Sequence, residues 1–138
     1  MFERFTTRAR RALFSAMHEA QVARSETVEL RHLLLGVVRE IEFEKSPLWE
    51  NEVIKLLWSE VSDLEHTVNH PEPKYSAGCK EVFVLAAQVA AIDGNFIGLQ
   101  YLLYGILRQP NTEIAKMFHP LDETVETVRR LGGIKSNL

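Results

Sequence analysis

The apolar residues of this chain recur at helical spacing from its first turns. Positions 5, 9, 12, 13, 16, 20 and 23 make one apolar face, with polar and charged residues between them, so the spacing predicts an amphipathic helix. Thr6 or Thr7 supplies an N-cap oxygen for it. The next segment, "ELRHLLLGVVR" (29–39), is apolar nearly all round, which predicts a short buried helix. Residues 46–68 carry a weaker stripe of Val53, Leu57, Val61, Leu64 and Val68, with Pro47 suited to a first turn. They read as one long helix or as two joined near 56–58. No segment shows the period-two alternation of a convincing strand.

The pattern then repeats. "GLQYLLYGILR" (98–108) returns Leu30, Leu33, Leu34, Gly36 and Arg39 as Leu99, Leu102, Leu103, Gly105 and Arg108, offset by 69. Chance gives about one such identity. Upstream, "YSAGCKEVFVLAAQVA" (75–90) matches the apolar positions of "FTTRARRALFSAMHEA" (5–20) at an offset of 70. Ser76 takes the place of Thr6 as N-cap, and Gly94-Asn95 ends that helix. Gly36 and Gly105 lie inside buried helices, where glycine costs about 1 kcal/mol relative to alanine. Close approach of a neighbouring helix is the expected return.

In the second copy, Thr112 is the expected cap of "EIAKMF", which His119-Pro120 breaks. Asp122 is the expected cap of "ETVETVRRL", where Arg129 and Arg130 suit the negative helix end and Gly132-Gly133 the stop. Two prolines in "NHPEPK" (69–74) make it a linker. The 138 residues therefore read as one all-α domain of two copies, about 1–70 and 71–138. Two copies fit a paired domain better than an open solenoid.

Charge changes this picture little. The net charge of −3 argues against a nucleic-acid binder. Residues 1–39 carry net +3 and residues 40–65 net −6, which reads as a solvated acidic helix face. The single Cys79 allows no intrachain disulfide. No signal peptide and no bilayer-length apolar run are seen. A cytoplasmic protein without membrane association is expected.

Candidate chemistry is sparse. The phosphate-binding G-x-x-x-x-G-K-[ST] is absent, and His18 lacks the second histidine of a zinc-protease box, since Val22 stands there. His66 and His70 share a helical spacing beside Glu65, but a third metal ligand is not evident. Cys79 falls on the apolar face as a small buried thiol. His32 aligns with Tyr101 at a buried, hydrogen-bonded position. Trp49 reads as partly core, and Trp58 as a possible exposed contact. No acid–base or nucleophile set forms, so neither enzyme activity nor a metal or cofactor is expected.

The start "MFERFTTRARRAL" and the doubled H-L-L-L-G-V-V-R box resemble the amino-terminal domain of the ClpC- and ClpA-type AAA+ (Hsp100) unfoldases. The resemblance covers essentially the whole chain, most specifically the first 40 residues. It implies two pseudo-symmetric four-helix Clp repeats packed into one all-α globule. It also implies a protein-binding role: adaptor, regulator or decoy for a Clp ATPase, an adaptor or a substrate protein, without ATPase activity of its own. A stand-alone Clp-repeat protein is the favoured reading. The alternative is the substrate- and adaptor-receptor domain of a full-length Clp ATPase. A purely structural dimer is a third option.

In ClpC-type domains the glutamate before the box histidine, or its counterpart, helps hold a phosphorylated arginine. Here those positions are Arg31 and Gln100. The resemblance with these departures implies a lost or weakened phosphoarginine site, because a carboxylate holds a guanidinium by paired charge-assisted bonds and neither replacement does. A second family surface, where partners and small cyclic peptides dock, maps onto Phe2, Tyr75 and Lys80. Phe5, the repeat-mate of Tyr75, is expected in the core.

Overall fold

A computed structural model describes residues 2–64 and 71–136. The Thr6 side chain accepts from the Ala9 amide and caps α1 (Thr7–Val22). The predicted apolar face of α1 is buried at Phe5, Ala9, Ala12, Leu13, Ala16 and Ala20, while Ala23 lies beyond the helix and is exposed. The box stretch forms α2 (Leu30–Glu44), a turn longer than its apolar run predicts. Its copy-two counterpart is α5 (Leu99–Leu107), in which every residue from Tyr101 to Leu107 is buried. α4 (Ala77–Asp93) is capped by Ser76 and closed by Gly94 at φ 73°.

The long-helix reading of 46–68 gives way to short pieces with a joint near 57. A 3₁₀ turn (Pro47–Glu50) starts at Pro47, α3 covers Glu52–Leu57, and a second 3₁₀ turn covers Trp58–Glu60. The Asn51 side chain accepts from the Val53 and Ile54 amides, so the chain restarts a helix there. Ile54 and Leu57 are the buried residues of α3, and Val53 is only half-buried. Residues 61–63 lie outside any helix or strand and are pinned to α1: Glu19 accepts from the Ser62 amide at 2.8 Å and from its hydroxyl at 2.9 Å. Glu65, His66, Val68 and His70 lie outside the described residues.

Two predicted caps shift. α6 (Thr112–Met117) is capped by Asn111, whose side chain accepts from the Ile114 amide, with Thr112 as its first residue. α7 (Leu121–Gly132) begins directly after the cis His119-Pro120 bond without a side-chain cap, and Asp122 sits in its first turn. There Asp122 and Glu123 face the positive helix end, a favourable place for acids.

Strands are the main departure from the expected architecture. β1 (Thr27–Val28) and β2 (Lys74–Tyr75) pair in parallel, Val28 opposite Tyr75. Phe5 and Ile97 form an isolated parallel bridge. These contacts are reciprocal. The Ser76 amide donates to the Val28 carbonyl at 3.0 Å, and the Thr6 amide donates to the Ile97 carbonyl at 3.0 Å. Thr6 and Ser76 are repeat-mates, as are Val28 and Ile97. Each copy's entry into its first helix is thus stitched to the segment before the other copy's box helix. Two-residue strands show no period in the sequence, and their partners lie tens of residues away.

The core lies where α2 and α5 meet, with α1 covering α2 and α4 covering α5. A Cβ placed on Gly36 would lie 2.3 Å from the Ala12 carbonyl oxygen and 2.8 Å from the Ala16 amide nitrogen. The predicted close approach is therefore backbone on backbone. At Gly105 the neighbours are looser, with Val82 atoms at 3.0 and 3.1 Å. The carboxylate of Asp93, at the end of α4, accepts from the Lys135 and Ser136 amides and from the Tyr101 hydroxyl, which ties residues 135–136 onto the domain.

Candidate protein-binding site

The seam between the copies gathers the aromatic residues named from the sequence. Phe2 packs edge-to-face on Phe5 (ring centroids 5.0 Å apart), Phe83 (5.7 Å) and Tyr75 (6.1 Å), and Tyr75 packs on Phe83 at 5.2 Å. Offset and edge-on pairs of this kind are the favoured aromatic arrangement. Phe5 and Phe83 are buried and form the floor, while Phe2 and Tyr75 are half-buried above them. Arg10 holds the leading segment in place, its Nε donating to the Phe2 carbonyl at 3.2 Å. Burial, and next the charges of Cys79 and Glu72, raise the Tyr75 phenol above its ordinary range. Lys80 stands exposed in the first turns of α4.

Arg31 and Gln100 sit in two separate clefts that follow the repeat. Each joins the start of one copy's box helix to the turn after the other copy's box helix. Arg31 lines a cleft of about 170 Å³ with Glu29, Asn111 and Glu113. Its Nη2 lies 2.5 Å from Glu113 Oε1. That partner, in α6, raises the Arg31 pKa further. Gln100 lines a cleft of about 490 Å³ that also holds Thr6, Arg8, Ser46, Phe96 and Gly132. Its side chain folds back over Gly98 and across Gly132, where an added Cβ would meet its atoms at 2.5 and 2.6 Å respectively. Arg4 stacks over exposed Phe96 at the same edge, 5.6 Å from the ring centroid.

Behind these positions, His32 and Tyr101 are the buried polar rings the alignment predicts. His32 Nδ1 accepts from the Glu29 amide at 3.0 Å. The Tyr101 hydroxyl donates to Asp93 at 2.9 Å and accepts from Asn95 at 2.8 Å. Cys79 is buried with its Sγ 3.1 Å from the Val28 carbonyl oxygen, and burial pushes its thiol pKa up, the opposite of a reactive thiolate. Among the described residues, no group of three or more His, Cys, Asp or Glu is placed to hold a metal ion. Also among them, no helix is long and apolar enough to cross a membrane. Trp49 is half-buried and Trp58 is 38% exposed, their rings edge-to-face at 6.2 Å. Glu113, the partner of Arg31, was not singled out from the sequence. Only its place in α6, across the copy boundary, brings it there.

The family model described as the Clp repeat (R) N-terminal domain matches residues 4–121. The chain belongs to the Clp repeat family. The ATP-dependent Clp protease ATP-binding subunit ClpC of Staphylococcus aureus (strain USA300) is 28% identical over 141 aligned positions, covering 94% of this Clp repeat chain and 16% of the relative. The ClpC of Staphylococcus saprophyticus is 27% identical with the same coverage. The chain thus spans about one sixth of the length of these relatives. Among solved structures, the N-terminal domain of the chaperone ClpD from Arabidopsis thaliana superposes with a TM-score of 0.70 at 22% identity, covering 95% of this chain and 93% of that one. The Hsp104 N-terminal domain from Candida albicans gives 0.66 at 14%, with the same coverage. At these identities the likeness is one of fold, and it carries the two-copy helical architecture.

Proposed function

We propose that this Clp repeat domain is a protein-binding module of a Clp unfoldase system, acting as adaptor, regulator or decoy and carrying no ATPase activity of its own. The supporting observation is the contrast between scaffold and clefts. The family scaffold is kept over residues 4–121, while one cleft position carries a cation already paired with Glu113 and the other a neutral amide folded onto glycine. A domain with that scaffold and without the two carboxylates is suited to engaging protein partners and not phosphoarginine-marked substrates. The half-buried pair Phe2 and Tyr75, with Lys80 on the adjoining helix, is the proposed partner contact. Half-buried aromatic side chains, tyrosine above all, are the kind of anchor on which hot spots are built.

A second reading is favoured by the coverage. Relatives about six times longer make a substrate- and adaptor-receptor domain of a Clp ATPase the alternative. A Walker motif encoded downstream in the same reading frame decides between the two.

The test is a tagged pull-down from the native host, wild type against Phe2→Ala/Tyr75→Ala. Capture of a Clp ATPase, adaptor or substrate by the wild type, lost in the double variant, is the expected result. A variant that folds normally and keeps every partner removes this contact from the proposal. A wild type that captures no Clp component removes the Clp-linked role.

A further inference from the structure

A second surface stands apart from the seam and both box clefts. Phe14 and Phe43 are 71% and 64% exposed and line one cleft of about 310 Å³ between α1 and the last turns of α2. Phe14 lies on the outer face of α1, opposite the buried Ala9, Ala12, Leu13 and Ala16, so folding the domain leaves it open. Solitary exposed apolar residues are ordinary, and Leu56, Val84 and Ile92 require no explanation of that kind. Two exposed phenylalanines lining one cleft are a different case, because gathered apolar surface is where interaction sites are found.

The charge around the rings specifies the occupant. Among the described residues lining the same cleft, Arg8, Arg11 and Arg39 stand against the single acid Glu40, and Leu64 also lines it. Glu40 is buried and already engaged, with Arg8 Nη1 3.1 Å from its Oε1. The same guanidinium lies over the Phe43 ring, 4.8 Å from the centroid, so Arg8 and Phe43 hold each other as a preformed cation–π pair. Arg39 donates to the Ser62 carbonyl at 3.1 Å, a neutral acceptor. Exposed Arg11 has no acidic partner among the described residues. The described lining of the cleft thus carries three guanidinium groups, one neutralised, beside two exposed phenylalanine rings.

We propose that this cleft docks an acidic linear segment of a partner protein, its carboxylates on Arg11 and Arg39 and an apolar side chain between Phe14 and Phe43. The proposal rests on the protein-binding reading and names a site and partner chemistry for it. Complementary charge would steer such a segment and fix its register, while the buried aromatic contact would hold it. A basic segment is repelled by the same rim.

The probe is a termini-blocked Glu-rich peptide bearing two Phe, titrated by calorimetry or fluorescence anisotropy against the same peptide with Gln for Glu. Saturable binding of the acidic peptide is expected, weaker for the Gln peptide and weakened by salt. Phe14→Ser and Arg11→Glu, both at exposed positions, are each expected to weaken it about tenfold or more. Ile92→Ser, on the outer face of α4, is expected to leave it unchanged. No binding by the wild type, or binding indifferent to Phe14→Ser and Arg11→Glu, overturns the proposal. So does a dimer by light scattering that Phe14→Ser converts to monomer, because the occupant is then a second copy. If the peptide fails to bind while the wild type still captures Clp components, only this cleft is overturned. If the peptide binds and no Clp component is captured, only the Clp-linked reading falls.

Discussion

Arg31 in α2 and Glu113 in α6 form an ion pair across the boundary between the two copies, Nη2 to Oε1 at 2.5 Å. Both side chains are about half exposed, 60% and 48%, so the pair adds little to stability. Its consequence is occupancy. A guanidinium of the chain itself stands where the resemblance calls for the carboxylate that would hold a ligand's guanidinium.

Phosphoarginine, free or in a peptide, is accordingly expected to bind in the millimolar range or not at all. Isothermal calorimetry measures this directly, and clear micromolar binding by the wild type contradicts it. The double substitution Arg31→Glu/Gln100→Glu is expected to tighten binding relative to the wild type, because each new carboxylate can accept a paired guanidinium bond.

The two box glycines are expected to respond differently to alanine. Gly36→Ala places a methyl 2.3 Å from a backbone oxygen of α1, and backbone cannot swing aside. Separating the helices is expected to cost about 2–3 kcal/mol. At Gly105 the methyl meets Val82 at 3.0–3.1 Å, and alanine recovers about 1 kcal/mol of helix propensity. Gly105→Ala is expected to be close to neutral. Urea midpoints of the two variants check the contrast, and equal losses would contradict it.

Stability is expected to fall as acid is added below neutrality because of His32. Burial first, and the charge of Arg31 second, lower its pKa below the ordinary 6.5. The Glu29 amide needs the unprotonated Nδ1 as its acceptor. The unfolded chain therefore takes up this proton before the folded one does. The contribution is complete above about pH 6.5 and is lost as pH falls toward the lowered folded value. His32→Gln keeps an acceptor at that capping position without titrating there. Denaturation midpoints between about pH 7 and pH 5 should flatten in this variant, and an unchanged slope assigns the effect elsewhere.

Cys79 is expected to resist thiol reagents in the folded protein and to react on unfolding. Its side chain is fully buried and burial raises its pKa, so both access and thiolate are withheld. A chromogenic disulfide reagent with and without denaturant reads this out, and prompt reaction of the native protein contradicts it.

Much of the fold was legible because its determinants are local. The face Phe5–Ala9–Leu13–Ala16–Ala20, the Thr6 and Ser76 caps and the Gly94 and Gly133 stops depend on residues within a few positions of one another. Where the reading slipped, competing local groups decided: Asn111 reaches the Ile114 amide and displaces Thr112 as the cap, and Asn51 restarts a helix inside 46–68. The candidate residues were legible as positions but not as an arrangement. Phe2 and Tyr75 share a floor through Phe83, while Arg31 and Gln100 occupy different clefts. Phe14 and Phe43 were not singled out from the sequence, because only the packing of α1 on α2 brings both to one cleft.

The sequence by itself determined the helices, their buried faces and the doubling of one unit, since side-chain periodicity and capping act over a few residues. Tertiary structure alone decided the reciprocal bonds of Thr6 to Ile97 and Ser76 to Val28, the Arg31–Glu113 pair and the arginine-rimmed phenylalanine cleft. Each of those joins segments distant along the chain: the bonds and the ion pair meet only when packing of α2 against α5 has set the two copies face to face, and the cleft forms only when α1 has packed on α2 within the first copy.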